Sequence, residues 1–301
     1  MKTDKRVVCF GEILWDYLPE GRRLGGAPMN VCYHLRKMGV NSTVMTQVGK
    51  DQNGNDILAE LDRMNIDKAY CPASATWATS TVEVHLSPNG HIAYDIVANI
   101  AWDYIQMTPA MEALVAQSDA FVFGSLITRL ALSCNSLYQL IDRSRYRVFD
   151  VNLRAPFYNE ELITGLLNRT NLLNLNEDEL SIIMQWLGDD RKEVVQQLKK
   201  IQTNYPTIES IILTKGAGGA LYYSEGGHFS VPAMKVKVKD TIGSGDSFLA
   251  AFLAATLKGS SVEQALDKAC LLSGFIATHH GACPHYEEKD LLDFKKSLQL
   301  S

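Results

Sequence analysis

The apolar positions of this chain fall in short unbroken runs separated by longer amphipathic stretches, the pattern of strands buried on both faces alternating with helices. Residues 7–10, 120–123, 148–151, 172–175 and 211–213 read as strands. After the first run, Gly21, Gly25 and Gly26 break the pattern before Pro28 opens an amphipathic helix reaching Met38. The order there is strand, glycine loop, helix. Residues 247–257, 262–278 and 287–298 read as helices. The alternation predicts an α/β fold with a mainly parallel sheet flanked by helices.

Two early regions depart from that rhythm. One is the glycine-rich stretch before Pro28; the other is 80–94, where 81–87 and 91–94 flank Pro88-Asn89-Gly90. The second predicts a hairpin closed by an Asn-Gly turn. Together they predict a small β-rich lid, from segments near 12–27 and 78–104, folding over one edge of the larger body. No Pro-, Gly- or Ser-rich linker and no internal repeat divides the chain, so a single domain over 1–301 is expected.

Composition narrows the function classes. With 46% hydrophobic and 21% charged residues in 301, the chain has material for a large core and is not a disordered segment. A net charge of -5 supplies no basic field for a phosphate backbone, which argues against nucleic acid as partner. The six cysteines are scattered, without the close pairs of a zinc or C-x-x-C redox site, and read as reduced structural thiols. The apolar run before Gly11 is too short for a signal-peptide core, and no segment reaches membrane-spanning length. A cytoplasmic protein without membrane attachment is the expectation.

The densest chemistry lies in Asp240-Thr241-Ile242-Gly243-Ser244-Gly245-Asp246, leading into an apolar helix. Gly243 and Gly245 let successive backbone N–H groups converge where the helix adds its positive end, which makes an anion site. A carboxylate there conflicts with an anion unless it receives a proton, as the base of a phosphoryl transfer does. Read alone, Asp246 serves equally well as an N-terminal helix cap. Gly25-Gly26-Ala27-Pro28-Met29-Asn30 brings bare backbone and an amide to a helix start, with Asp16 upstream. Asp16 and Asn30 suit hydroxyl recognition, although an ordinary strand-to-helix connection with Pro28 in the first turn reads the same way.

These two motifs, in this order and at this separation, resemble the ribokinase-like, or phosphofructokinase-B (pfkB), carbohydrate kinases, and the resemblance covers essentially the whole chain. The first is similar to the family's sugar signature and the second to its catalytic signature, with Ser244 in place of the usual alanine. The resemblance implies Asp246 as base, the amides of Gly243, Ser244, Gly245 and Asp246 as anion hole, and Asp16, Gly25, Gly26 and Asn30 around the sugar. It implies that Asn176 and Glu179, in an N-x-x-E motif, organise magnesium and phosphate by way of water. It also implies that Thr214, Lys215, Gly216, Gly218 and Gly219 form a nucleotide loop. Lys215 stands where leucine is common, and reads by itself as a solvated side chain. Cys270 stands at an adenine-pocket position often held by asparagine. The loop 281–284 resembles one that helps bind a monovalent cation beside Asp240 and Ile242. ATP, magnesium and potassium are therefore the cofactors the resemblance implies. Relatives often pair through their lids, which makes a homodimer an expectation.

Several stretches look more like fructokinases than ribokinases: Ala27-Pro28, 94–97 with Ala101-Trp102-Asp103, and 149–154. By resemblance the acceptor is D-fructose and the product fructose 6-phosphate, with Asn152 and Arg154 reaching the sugar from a strand end. Arg154 could equally favour an acidic sugar or brace the sheet through Asp150. The alternatives are a kinase for ribose or 2-keto-3-deoxygluconate, and a non-catalytic sugar-sensing homologue. A nicotinamide-dependent dehydrogenase is disfavoured because no G-x-G-x-x-G follows the first strand.

Overall fold

The computed structural model describes residues 4–18, 21–86 and 92–299. In chain order its strands and helices are β1 (Arg6–Phe10), β2 (Leu14–Leu18), β3 (Gly21–Gly25), α1 (Ala27–Lys37), β4 (Asn41–Met45), β5 (Val48–Gly49), α2 (Gln52–Arg63), β6 (Ala73–Ser74), β7 (Ser80–Leu86) and β8 (Ile92–Ile96). Then follow α3 (Pro109–Ala116), β9 (Ala120–Gly124), α4 (Ala131–Ile141), β10 (Arg147–Asp150), α5 (Glu160–Leu167), β11 (Leu172–Asn176) and α6 (Glu177–Trp186). The chain continues through α7 (Val194–Asn204), β12 (Ser210–Thr214), β13 (Ala220–Ser224), β14 (Gly227–Val231), α8 (Ser244–Leu257), α9 (Val262–Ala277) and α10 (Glu288–Gln299).

The main sheet has eight strands in the order β14-β13-β12-β11-β10-β9-β1-β4. From β4 to β12 all neighbours are parallel, and β13 and β14 add an antiparallel edge. The unbroken apolar runs have a direct cause: the sheet is covered on both faces, so both side-chain parities are buried. Val7, Cys9, Ala120, Val122, Val148 and Ile212 face the layer that contains α1, α8 and α9. Val8, Phe10, Phe121, Phe123, Phe149 and Leu213 face the opposite layer. On the first face the alanine-rich α8 packs closely between α1 and α9, and every residue from Ser247 to Ala255 is buried.

A separate four-stranded sheet runs β3-β2-β7-β8, with β2 and β3 antiparallel, β2 and β7 parallel, and β7 and β8 antiparallel. The Asn89-Gly90 turn lies outside the described residues. Past β8 the chain returns to the main body. Trp102 is fully buried, and Asp103 accepts from Arg129 Nε and Nη2 at 2.6 and 2.8 Å in a buried bidentate pair. Arg129 also lies 4.0 Å from the Trp102 ring centre and donates to the Val97 carbonyl, tying the end of the small sheet to the core.

Of the last three helices, α9 begins at Val262 and α10 at Glu288, within one residue of the expectation, while α8 begins earlier. The apolar pattern places the start of α8 at Ser247, but the helix starts at Ser244, so Asp246 stands inside its first turn. That turn is polar and carries no periodicity; the start is set instead by Gly243, whose φ of 76° is left-handed.

Candidate active site

The carboxyl ends of the parallel strands converge on one cavity of about 380 Å³. Glu12 follows β1, Leu126 follows β9, Asn152 and Arg154 follow β10, and Asn176 closes β11. Asp16 enters from β2, Gly26, Ala27 and Asn30 from the start of α1, and Thr241, Ile242, Gly243, Gly245 and Asp246 from the loop into α8. Ligands of open parallel sheets gather at this end because the strand-to-helix turns there present helix N-termini.

Both glycines of the first motif stand at close approaches, to a side chain at Gly25 and to backbone at Gly26. A side chain at Gly25 would meet Asp16 Oδ2 at 2.4 Å, and one at Gly26, whose φ is 109°, would meet the Glu12 carbonyl at 2.4 Å. Asn30, only 4% exposed, donates from Nδ2 to Asp246 Oδ2 at 2.7 Å, joining the two motifs across 216 residues of sequence. Asp246 is thus not the cap of α8: Gly243 occupies that position, with no side-chain cap. The Ser244 amide donates to the Thr241 carbonyl at 3.2 Å, and the Ser247 amide takes the first helical bond, to Gly243. Among the described residues no carbonyl accepts from the amides of Gly243, Gly245 and Asp246, which stand at the positive end of the helix. Of the four amides from Gly243 to Asp246, Ser244 thus spends its own on the turn.

The electrostatics are those of several acids around one cation. Burial lifts the Asp246 carboxyl to about 6, opposed by the Asn30 hydrogen bond and by Arg154. Burial likewise lifts Asp16 to about 6. Asp150, which accepts from Asn174 at 2.8 Å, is raised well above the ordinary range by burial and then by Asp246 and Glu179. Arg154 opposes each of these shifts, yet it is exposed, and its Nη1 donates to the Leu153 carbonyl. Among the described residues it forms no ion pair with Asp150, so the sheet brace is not formed.

Asn176 and Glu179 form a capping box on α6. Asn176 Oδ1 accepts from the Glu179 amide at 2.9 Å, and Glu179 Oε2 accepts from the Asn176 amide at 2.9 Å. Glu179 Oε1 accepts from the Leu153 amide at 3.0 Å, so this buried acid also fixes the loop that carries Arg154. Asp240 is employed in the same way, accepting from Ile242 at 2.9 Å through Oδ1 and from Gly281 at 2.9 Å through Oδ2.

A second cavity of about 520 Å³ lies on the other side of the same loop. Thr214, Gly216 and Gly219 line it, with Met234, Val236, Phe248, Cys270, Ser273 and Gly274. Lys215 and Gly218 are not in the lining; the Lys215 amide donates to the Gly219 carbonyl and closes the turn between β12 and β13. Thr241 and Gly245 line both cavities, and Ser244 Oγ, buried without a partner among the described residues, faces the second.

The sequence reading misses Glu12, which is 3% exposed and accepts from the Ala27 amide through Oε1 at 3.2 Å. It also misses the extended segment around Met234 and Val236, against which Gly274 packs. Neither carries a pattern; both are recruited by proximity.

The pfkB family carbohydrate kinase model matches residues 7–289. Fructokinase-2 of Zea mays is 25% identical over 308 aligned positions, covering 92% of this chain and 90% of the relative. A fructokinase from Xylella fastidiosa with bound ATP superposes with a TM-score of 0.85 at 18% identity, covering 99% of this chain and all, 100%, of that one. A double mutant of the Vibrio cholerae O395 fructokinase, in a fructose-, ADP- and potassium-bound form, gives a TM-score of 0.82 at 21% identity over 98% and 99% of the two chains. These structures share the ribokinase-like α/β fold, and among the described residues no helix is long and apolar enough to cross a membrane. With two cavities meeting at one glycine loop, and the family match running from the first strand to the last helix, this chain belongs to the pfkB family of carbohydrate kinases.

Proposed function

We propose that this chain transfers the γ-phosphoryl group of ATP to the 6-hydroxyl of D-fructose, with Asp246 accepting the hydroxyl proton. The observation that carries the reading is the shared wall. Among the described residues, the cavity holding Asp246 and the cavity lined by the Thr214–Gly219 turn share Thr241 and Gly245, in the loop that ends in unpaired helix amides. A hydroxyl on one side and a terminal phosphate on the other would meet there in line.

Each residue then has a part. Asp246 holds Asn30 with Oδ2 and keeps Oδ1 for the acceptor hydroxyl; a carboxyl titrating at about 6 is ionised at neutral pH and still basic enough to take a proton. The Gly245 and Asp246 amides stabilise charge on the transferring group, and Ser244 Oγ is a further donor on the nucleotide side. Asp16, Gly26 and Asn30 would bind sugar hydroxyls, with Asn152 and Arg154 closing the far side; Gly25, buried against Asp16 and Leu14, is outside the cavity lining and would act by letting Asp16 sit close to the backbone. Cys270 would pack against the base of the nucleotide.

No group of three or more His, Cys, Asp or Glu is gathered as a metal site among the described residues, and the oxygens of Glu179 already accept two amides. Magnesium fits as an ion carried by the nucleotide phosphates, its water shell ordered by Asn176 and Glu179; bound there it supplies charge neutralisation. The Asp240 carboxylate and the Ile242 carbonyl suit potassium, the ion held by the Vibrio cholerae structure. The small sheet is proposed to act as a lid within one kinase domain, excluding water from the transfer. We assign the protein to the cytoplasm and leave it free to pair as a homodimer through that sheet.

Fructose is supported by the names of the relatives and by the Ala27-Pro28 and 149–154 stretches. A second reading has one observation in its favour: Arg154, exposed and without a carboxylate partner among the described residues, suits an acidic sugar such as 2-keto-3-deoxygluconate. Coupled ADP release with magnesium-ATP on fructose, ribose, glucose, mannose and 2-keto-3-deoxygluconate separates these. Turnover is expected on fructose, with Asp246→Asn slower by about 10²–10⁴-fold. Turnover on 2-keto-3-deoxygluconate alone favours the second reading, and no turnover on any sugar favours a sensor.

A further inference from the structure

We infer that Cys283 is a positioning residue for phosphoryl transfer: its thiol donates to Asn30 Oδ1 at 3.3 Å and fixes the carboxamide so that Nδ2 faces Asp246. The inference rests on Asp246 being the base.

The carboxamide of Asn30 has two orientations of nearly equal shape. In the one present, the oxygen meets an S–H and the nitrogen meets a carboxylate, so both contacts pair a donor with an acceptor. Turned over, the oxygen would face the Asp246 carboxylate, two acceptors together, in a site where water cannot compensate. The thiol therefore adds a second preference for the arrangement that leaves Asp246 hydrogen-bonded.

Cys283 is delivered to this point by its neighbours. The Ala282 carbonyl accepts from His34 Nε2 at 2.9 Å, and the Pro284 carbonyl accepts from the Tyr33 hydroxyl at 2.8 Å. Both side chains come from α1, the helix that carries Asn30. Burial pushes His34 down to about 4, so the ring is neutral, donating through Nε2 and accepting from the Tyr286 hydroxyl through Nδ1 at 3.0 Å. Burial and then the Asp246 charge push the Cys283 thiol well above its usual range, which keeps the proton it donates. One lone pair of Asn30 Oδ1 is thereby taken, and the side chain keeps its second N–H and the remaining lone pair for the sugar.

The test is the acid limb of kcat on the best sugar of the panel, for wild type, Cys283→Ser, Cys283→Ala and Cys283→Val. Serine keeps the donor; alanine and valine bracket the thiol in size and lack it. The Asn30 bond lowers the Asp246 carboxyl, so a freed carboxamide moves the limb to higher pH, by about half a unit to one unit. At pH 6 that lowers kcat by roughly 2–5-fold. The other groups facing Asp246 are Arg154, Glu12 and Asp150, and replacing a neutral thiol changes none of their charges. Shifted limbs in alanine and valine with a wild-type limb in serine support the inference. An unmoved limb in alanine and valine overturns it, also where their melting temperatures fall, since packing alone then accounts for the cysteine. A wild-type limb that survives Asp246→Asn removes the base assignment itself, and this inference with it.

Discussion

In the proposed role, Asp246 is a compromise between stability and chemistry. Its carboxyl is lifted from 3.8 to about 6 because burial outweighs the Asn30 bond and the Arg154 charge. Between those values the folded chain holds a proton that the unfolded chain has released, so this group's contribution to stability falls as pH rises through the window. Asp246→Asn removes the buried charge and keeps an acceptor for Asn30. At pH 7.5 it is expected to stabilise the protein by on the order of 1–2 kcal/mol, or about 2–5 °C in Tm, while inactivating it. At pH 4.5 most of the gain should be gone, because the folded wild-type carboxyl is already neutral, and the remainder is lost as pH falls through 3.8, where the unfolded chain also takes up the proton. Thermal melts at the two pH values check both halves, and an equal gain at both would sink the account.

At the scale of elements, the start of α8 is where sequence and packing meet most tightly. Gly243 is left-handed, and a side chain there would meet Ala282 Cβ at 2.4 Å. Gly243→Ala is expected to cost about 2–4 kcal/mol and to displace the 281–284 loop, read as a lower urea midpoint. Gly245 gives the contrasting result. A side chain there has nothing within 4 Å, and the residue lines both cavities. Gly245→Ala should therefore melt near the wild type and lose kcat/KM, because the added methyl occupies ligand space rather than protein space. If the two variants lost stability equally, the assignment of the loop to ligand contact would be wrong.

Over the whole molecule, two sheets of different character divide the labour. The eight-stranded sheet is buried on both faces and fixes the strand ends; the four-stranded sheet contributes Asp16 and Val82 to the cavity from outside that frame. If the small sheet closes over the sugar, hydrogen exchange should slow along β2, β3 and β7 when fructose and a non-hydrolysable ATP analogue are added together. The central strands β9 to β11 should not change. Unchanged exchange in the small sheet would leave it a fixed wall.

Much of this was legible in one dimension, for reasons specific to each feature. The runs at 7–10, 120–123 and 172–175 announce strands because a sheet covered on both sides buries both parities. Gly26 and Gly243 stand out because only glycine tolerates their close approaches and positive φ. Such constraints are local, and so they leave a mark on the residues themselves. The Asn30–Asp246 bond, the Asn30–Cys283 contact, the buried Glu12 and the Asp103–Arg129 pair left no such mark. Their partners, from 15 to 253 residues apart, are brought together by the order of the strands and the packing of the helices, and a side chain chosen for a neighbour outside its own segment looks ordinary within it. The sequence by itself determined the layers, the glycine turns and the acid at the helix start. Tertiary structure alone decided which way that acid faces, which amides remain free, and what holds its carboxylate in place, because those depend on distances the chain acquires only once it is packed.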